Sequence, residues 1–178
     1  MKSTIIALGL ILLFSFQSFS QLELEGVINS KFKTTQLEDG EIKYYNFDSN
    51  TSEIKIYNLD NSLSKAIKIP LERNHFFEEI LMISENTINP DKGIEIAYTC
   101  LRYNYNAFEE DPESETNAVQ FTLNIINESG EKLLSVPNSH QLKLATTNGK
   151  SKLLIFKSGG KSFRDDSEIL VYALPDKK

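Results

Sequence analysis

Asn89-Pro90-Asp91-Lys92-Gly93-Ile94-Glu95-Ile96-Ala97-Tyr98-Thr99-Cys100 decides the reading of the fold: a polar, glycine-bearing turn runs straight into a stretch of alternating side chains. Period two marks a strand, because successive side chains of an extended backbone point to opposite faces of a sheet. Ile94, Ile96, Tyr98 and Cys100 share one parity and therefore one face. The turn before them is predicted to be a hairpin apex, since Gly93 can take positive φ without a Cβ clash.

The same local chemistry recurs in Leu37-Glu38-Asp39-Gly40-Glu41-Ile42-Lys43-Tyr44 and in Thr147-Asn148-Gly149-Lys150-Ser151-Lys152-Leu153-Leu154. Gly40, Gly93 and Gly149 are spaced by about 53 and about 56 residues, the length of one small meander. A second recurrence follows each apex: Ile54-Lys55-Ile56-Tyr57-Asn58-Leu59-Asp60, Leu123-Asn124-Ile125-Ile126-Asn127-Glu128-Ser129-Gly130 and Ile169-Leu170-Val171-Tyr172-Ala173-Leu174-Pro175. The first two lead into Ala66-Ile67-Lys68-Ile69-Pro70 and Lys132-Leu133-Leu134-Ser135-Val136-Pro137, short strands stopped by a proline that cannot donate to a ladder.

Strands are expected near 31–37, 41–47, 53–59, 64–69, 78–84, 93–103, 118–127, 131–136, 141–147, 151–157 and 167–174. The expected fold class is all-β: antiparallel meanders forming about three propeller-blade-like units in an open or sandwich-like arrangement. Three such units are too few to close an ordinary ring. The one helical alternative is Arg73 to Met82, where Phe76, Phe77, Ile80 and Leu81 could line a turn or two of helix.

The N-terminus reads as a cleavable secretory signal. Lys2 is a short positive region, Ile5 to Phe16 is apolar, and Ser18-Phe19-Ser20 places small residues at −3 and −1 of a cut. Residues 1–20 are then the leader and 21–178 a single all-β domain. The apolar run falls short of the roughly 20 residues that span a bilayer, so no membrane insertion is expected after cleavage. No cysteine near the cut offers lipid attachment.

Of 19 basic residues only Lys2 lies in the leader, so the exported chain keeps all 25 acidic groups and is more negative than the −6 of the whole. That charge repels phosphate backbones and excludes nucleic acid as a partner. The 11 Phe and 7 Tyr supply enough bulk for a packed core. Cys100, the only cysteine, leaves stability to packing rather than to an internal disulfide. It is expected to be a buried, inert thiol. A nucleophilic role would need a base or a positive field beside it, and spacing pairs neither His75 nor His140 with it.

Catalytic motifs are missing: there is no Gly-x-Ser-x-Gly, His-Glu-x-x-His, Cys-x-x-Cys or phosphate-binding glycine loop, and two histidines cannot build a three-histidine metal site. No catalytic residue is assigned. The acidic stretch from Ala107 to Asn117 reads as a solvated loop, with Glu109, Glu110, Asp111 and Glu113 as candidate calcium ligands, although the spacing and glycine of an EF-hand loop are absent. Tyr98, Tyr103 and Tyr105 are the candidate ligand residues, as a platform for sugar rings. The competing expectation is a cross-strand aromatic ladder.

Lys43-Tyr44-Tyr45, Ile54 to Leu63, Ile83-Ser84-Glu85-Asn86 leading to Ile94-Glu95-Ile96-Ala97-Tyr98, Ile126-Asn127-Glu128-Ser129-Gly130 and Val171-Tyr172-Ala173-Leu174-Pro175 are similar to blade-like repeats of exported Bacteroidota proteins that use type IX secretion. The resemblance spans about Lys31 to Pro175. It implies strand and turn patterns and no activity or functional residue. In that family a Tyr-x-Leu-Pro strand commonly precedes a sorting domain. Here Asp176-Lys177-Lys178 follows instead, so the periplasm is the expected destination rather than the cell surface or medium.

The functional expectation is an exported, non-enzymatic β protein for binding or display, with a protein or glycan as partner and no cofactor beyond calcium. Two alternatives stand beside it. One is a carbohydrate-binding module or glycan-directed hydrolase, and the other is a structural homo-oligomer whose open strand edges pair.

Overall fold

The computed structural model describes residues 31–91, 93–103, 119–148, 150–158 and 166–175. Among them there are eleven strands and no helix: β1 (Lys33–Gln36), β2 (Ile42–Asp48), β3 (Glu53–Tyr57), β4 (Leu63–Lys68), β5 (Phe76–Glu85), β6 (Ile94–Tyr103), β7 (Val119–Asn127), β8 (Lys132–Pro137), β9 (Ser139–Thr147), β10 (Lys150–Ser158) and β11 (Asp166–Ala173). They form three antiparallel sheets, ordered β1-β2-β3-β4, β5-β6-β7-β8 and β11-β10-β9. Chain neighbours are sheet neighbours throughout, so each sheet is a meander. The expected three-meander, all-β architecture is the observed one.

Each glycine-bearing apex joins the first two strands of its sheet, but glycine does not always make the bend. Gly40 does, with φ +87 and its N–H donating to the Leu37 carbonyl at 3.0 Å. Gly93 does not have positive φ, contrary to expectation. In that longer connection Asn86 bends instead, at φ 53. Asn61, Asn74, Asn138 and Asn148 also have positive φ, as asparagine tolerates the left-handed region best after glycine. Gly149 lies outside the described residues.

The middle sheet is buried on both faces. Toward the first sheet it presents Ile83, Ile94, Ile96, Tyr98, Cys100 and Ile126, which pack on Ile54, Ile56, Ile67 and Ile69. Toward the third it presents Ala97, Leu123, Ile125 and Val136, which pack on Leu153 and Ile155. The one-residue alternation of β6 and β7 thus feeds two cores at once. Each fully buried isoleucine or leucine contributes roughly 1.5–3 kcal/mol by leaving water.

Asn138 joins two of the layers. Its N–H donates to the Phe121 carbonyl of β7 at 2.7 Å, and its carbonyl accepts from the Ser158 N–H of β10 at 2.8 Å.

Arg73 to Met82 contains most of β5 and no helix. The pairing of β5 with β6 shifts between Phe77 and Glu79 and again between Ile80 and Met82, so Glu78 and Leu81 are bulged. Two extra residues in so short a span turn period two into period three. Phe77, Ile80 and Ile83 therefore all face the first sheet, while Leu81 and Met82 face the third. That spacing mimics a helical face in sequence.

Candidate functional site

The structure separates the tyrosines that sequence groups together. Tyr98 is fully buried; its hydroxyl donates to the Pro70 carbonyl at 3.2 Å, and burial raises its pKa above the ordinary phenol value. Tyr103 differs in parity, lies on the opposite face of β6, is 44% exposed, and has its ring centre 6.0 Å from that of Phe76. The two do not form one platform. Tyr105 and the candidate calcium ligands Glu109, Glu110, Asp111 and Glu113 lie outside the described residues. Among the described residues, no group of three or more His, Cys, Asp or Glu side chains is placed to hold a metal ion.

Cys100 sits where its parity places it, on the buried face with Ile94, Ile96 and Tyr98. Burial pushes its thiol pKa up to about 11, so the sulfur stays protonated and a poor nucleophile at neutral pH. Its polar neighbour is Asn124, with Nδ2 3.8 Å from Sγ. His75 and His140 are elsewhere: His75 Nδ1 is 3.2 Å from the Arg73 carbonyl, and His140 Nδ1 is 3.4 Å from Ser158 Oγ.

Sequence reasoning missed Glu95. Its alternation in β6 suggests a solvated side chain, yet it is completely buried. Ser84 Oγ donates to Oε2 at 2.9 Å and the Thr87 N–H to Oε2 at 3.2 Å, while the N–H groups of Ile88 and Asn89 each donate to Oε1 at 3.1 Å. Three successive backbone amides curl round one carboxylate, the concave arrangement that binds anions elsewhere. Here the chain supplies its own anion and anchors the loop between β5 and β6. The sequence signal was a lone acidic residue inside a run otherwise free of charge.

A cleft of about 180 Å³ opens between the first and middle sheets. Lys33, Tyr45, Asn46 and Phe47 line one side, and Phe77, the bulged Glu78, Glu79 and Ile80 line the other. Phe47 and Phe77 stack across it with ring centres 3.8 Å apart. Burial, and secondarily the Glu79 carboxylate, raises the pKa of the Tyr45 hydroxyl. Asn46 Oδ1 is buried with no hydrogen-bond partner.

The outer faces of the end sheets are the other candidate surface. On the third sheet, cross-strand register lines up Gln141, Phe156 and Ile169, then Lys143, Leu154 and Val171, then Ala145, Lys152 and Ala173, then Thr147 and Lys150. These residues point away from the buried Leu153 and Ile155. Ile169 is 52% exposed and Val171 62%. These four rows carry Lys143, Lys150 and Lys152, in a chain whose net charge is −6.

The outer face of the first sheet has a similar division. Gln36 and Ile42 form one row, then Thr34, Tyr44, Tyr57 and Leu63, then Asn46, Lys55 and Ala66, then Asp48, Glu53 and Lys68. Leu63 is 54% exposed, and Phe32 packs edge-on against Tyr57 with ring centres 5.2 Å apart. Apolar residues occupy one end of this face and charges the other. Lys55 Nζ pairs with Asp48 Oδ2 at 2.7 Å. No described helix is long and apolar enough to cross a membrane.

No protein-family model, no curated protein and no solved structure matches the chain.

Proposed function

We propose that this chain is an exported, non-enzymatic binding or display protein that engages a protein partner through the outer faces of its end sheets. The observation that carries the reading is the outer face of the third sheet, where Ile169 and Val171 stand largely in water beside Leu154 and Phe156. Stacked β units need polar outer faces at their ends to stay separate, and half of this end face is apolar. The leader ending at Ser20 supports export, and the periplasm is the proposed destination.

The test places a photoreactive side chain at position 171 of the mature chain and, as a control, at the exposed Glu131. Irradiation in a periplasmic extract is expected to give a discrete crosslinked product from position 171 alone. Robust turnover in a hydrolase panel, or equal labelling from both positions, would overturn the reading.

The Tyr45, Phe47 and Phe77 rings that line the cleft between the first two sheets favour a second reading, a module that binds a glycan there. Glycan-array signal that Tyr45→Ala abolishes would support it. Silence on the array would dispose of it.

A further inference from the structure

We infer that the open edge of β11 is a self-pairing site, on which β11 of a second copy of this chain lies antiparallel and continues the third sheet across a two-fold axis. The site is the edge of that sheet, and it stands independently of what its outer face meets.

The sheet edges are β1, β4, β5, β8, β9 and β11. An open edge invites another strand, and proteins blunt edges with short length, lysine, proline or bulges. β1 has four residues and starts at Lys33. β4 carries Lys65 and Lys68 and runs on to Pro70, while β8 starts at Lys132 and ends at Pro137. β5 is bulged at Glu78 and Leu81, and β9 has Lys143 and a bulge at His140. From Glu168 to Ala173, β11 has none of these: its register with β10 is unbroken, and Ile169-Leu170-Val171-Tyr172-Ala173 is an apolar run of strand-forming residues. The position it leaves open is filled in the other two sheets. β11 is the third strand of its meander, as β3 and β7 are of theirs, and β4 and β8 pair on those. The two pairings end in the same bond, Ile69 N–H to the Ser52 carbonyl at 2.9 Å and Asn138 N–H to the Phe121 carbonyl at 2.7 Å.

Backbone alternation says which groups face outward. The Leu174 N–H donates to the Ser151 carbonyl at 3.2 Å, so Tyr172 and Leu170 also bond toward β10, and Ile169, Val171 and Ala173 turn their N–H and C=O groups to the open edge. Two copies centred on Leu170 pair these groups: Ile169 exchanges bonds with Val171 of the second copy, and Val171 with its Ile169. The same register sets the two exposed side chains beside each other. Leu170 comes opposite Leu170, Asp166 opposite Leu174, and Glu168, already paired with Lys157 Nζ at 3.0 Å, opposite Tyr172. No like charges meet in any of these pairs. The contact is isologous, so assembly closes at two copies.

The test uses the purified mature chain from Gln21, alone in solution, with sedimentation velocity from low micromolar to several hundred micromolar. The mass is expected to rise from one chain toward two, with a dissociation constant of about tens to hundreds of micromolar, because so short a ladder buries less than a standard interface. Val171→Pro removes an N–H that faces the edge and no bond to β10, and Val171→Lys places a charge in the central pairs. Each should weaken association about tenfold or more while circular dichroism and the unfolding midpoint show a folded chain, and the lysine variant decides if the proline variant does not fold. Leu154→Lys changes the residue beside Val171 in the same row, one strand in from the edge, and should leave association unchanged. The mass of a single chain throughout, masses beyond two copies, or association that folded Val171→Lys leaves intact would overturn the inference. So would an equal loss from folded Leu154→Lys, which would move the contact from the edge to the outer face.

Discussion

The ring of Phe47 lies face to face with that of Phe77, centre to centre at 3.8 Å and only 18° from parallel. Phe77 in turn stacks toward Tyr98 at 6.3 Å, so an aromatic column links the first sheet to the middle of the second. Aromatic pairs of this kind add about 0.5–1.5 kcal/mol to the area they bury. Phe77→Ala is expected to destabilise the protein by about 3 kcal/mol in urea denaturation, and Phe77→Leu by less than half of that. Equal losses would mean that ring stacking contributes nothing.

Gly130 holds a different inter-sheet contact. It has φ +81, and a Cβ there would stand 2.9 Å from the Lys68 carbonyl oxygen of β4. Gly40, at φ +87, has Gln36 Nε2 at 3.7 Å as its nearest such neighbour. Both alanine substitutions strain the backbone by about 1–2 kcal/mol, and only Gly130→Ala also pushes two sheets apart. Its unfolding midpoint should therefore drop clearly further than that of Gly40→Ala.

Glu95→Ala removes the acceptor for Ser84 and for the amides of Thr87, Ile88 and Asn89. Each buried donor left unpaired costs about 1–3 kcal/mol unless water reaches it, so a total loss of about 4 kcal/mol is expected. Hydrogen exchange should show those three amides losing protection before any in β6. Uniform loss across the sheet would argue against a local anchor.

Cys100 gives a pH-dependent prediction. Its folded pKa, about 11, lies above the ordinary 9.0 because burial disfavours the thiolate. The unfolded thiol therefore loses its proton first, so this group's contribution to stability is intact below pH 9 and declines as pH rises toward 11. A thiol-reactive dye at pH 8 should label the native protein only as fast as it opens, and the urea-unfolded chain at once. Cys100→Ala should flatten the alkaline limb of the stability profile.

The parity of Ile94, Ile96, Tyr98 and Cys100 was legible because strand geometry is local and one face meets an apolar layer. Glu95 was not, because its partners belong to a loop whose curl back over β6 depends on the β5–β6 pairing. Tyr98 and Tyr103 looked like one aromatic cluster in the chain, but the pleat sends them to opposite faces. The spacing of Phe76, Phe77, Ile80 and Leu81 left a helix open as an alternative to the strand, and the bulges at Glu78 and Leu81 are what put Phe77 and Ile80 three apart on one face.

The open apolar faces escaped notice for a related reason. Ile169 and Val171 read in sequence as ordinary strand residues, with the same alternation as the buried Leu153 and Ile155. Whether such a residue meets another sheet or water depends on where its sheet falls in the stack.

By itself the sequence determined the all-β class, the three meanders, the parity of β6 and the turn positions, since each follows from backbone sterics and the spacing of a few residues. The tertiary structure decided which sheet lies in the middle, which carboxylate is enclosed and which apolar faces remain open. Those outcomes depend on contacts between residues far apart in the chain, and neither composition nor period records which surface will meet which.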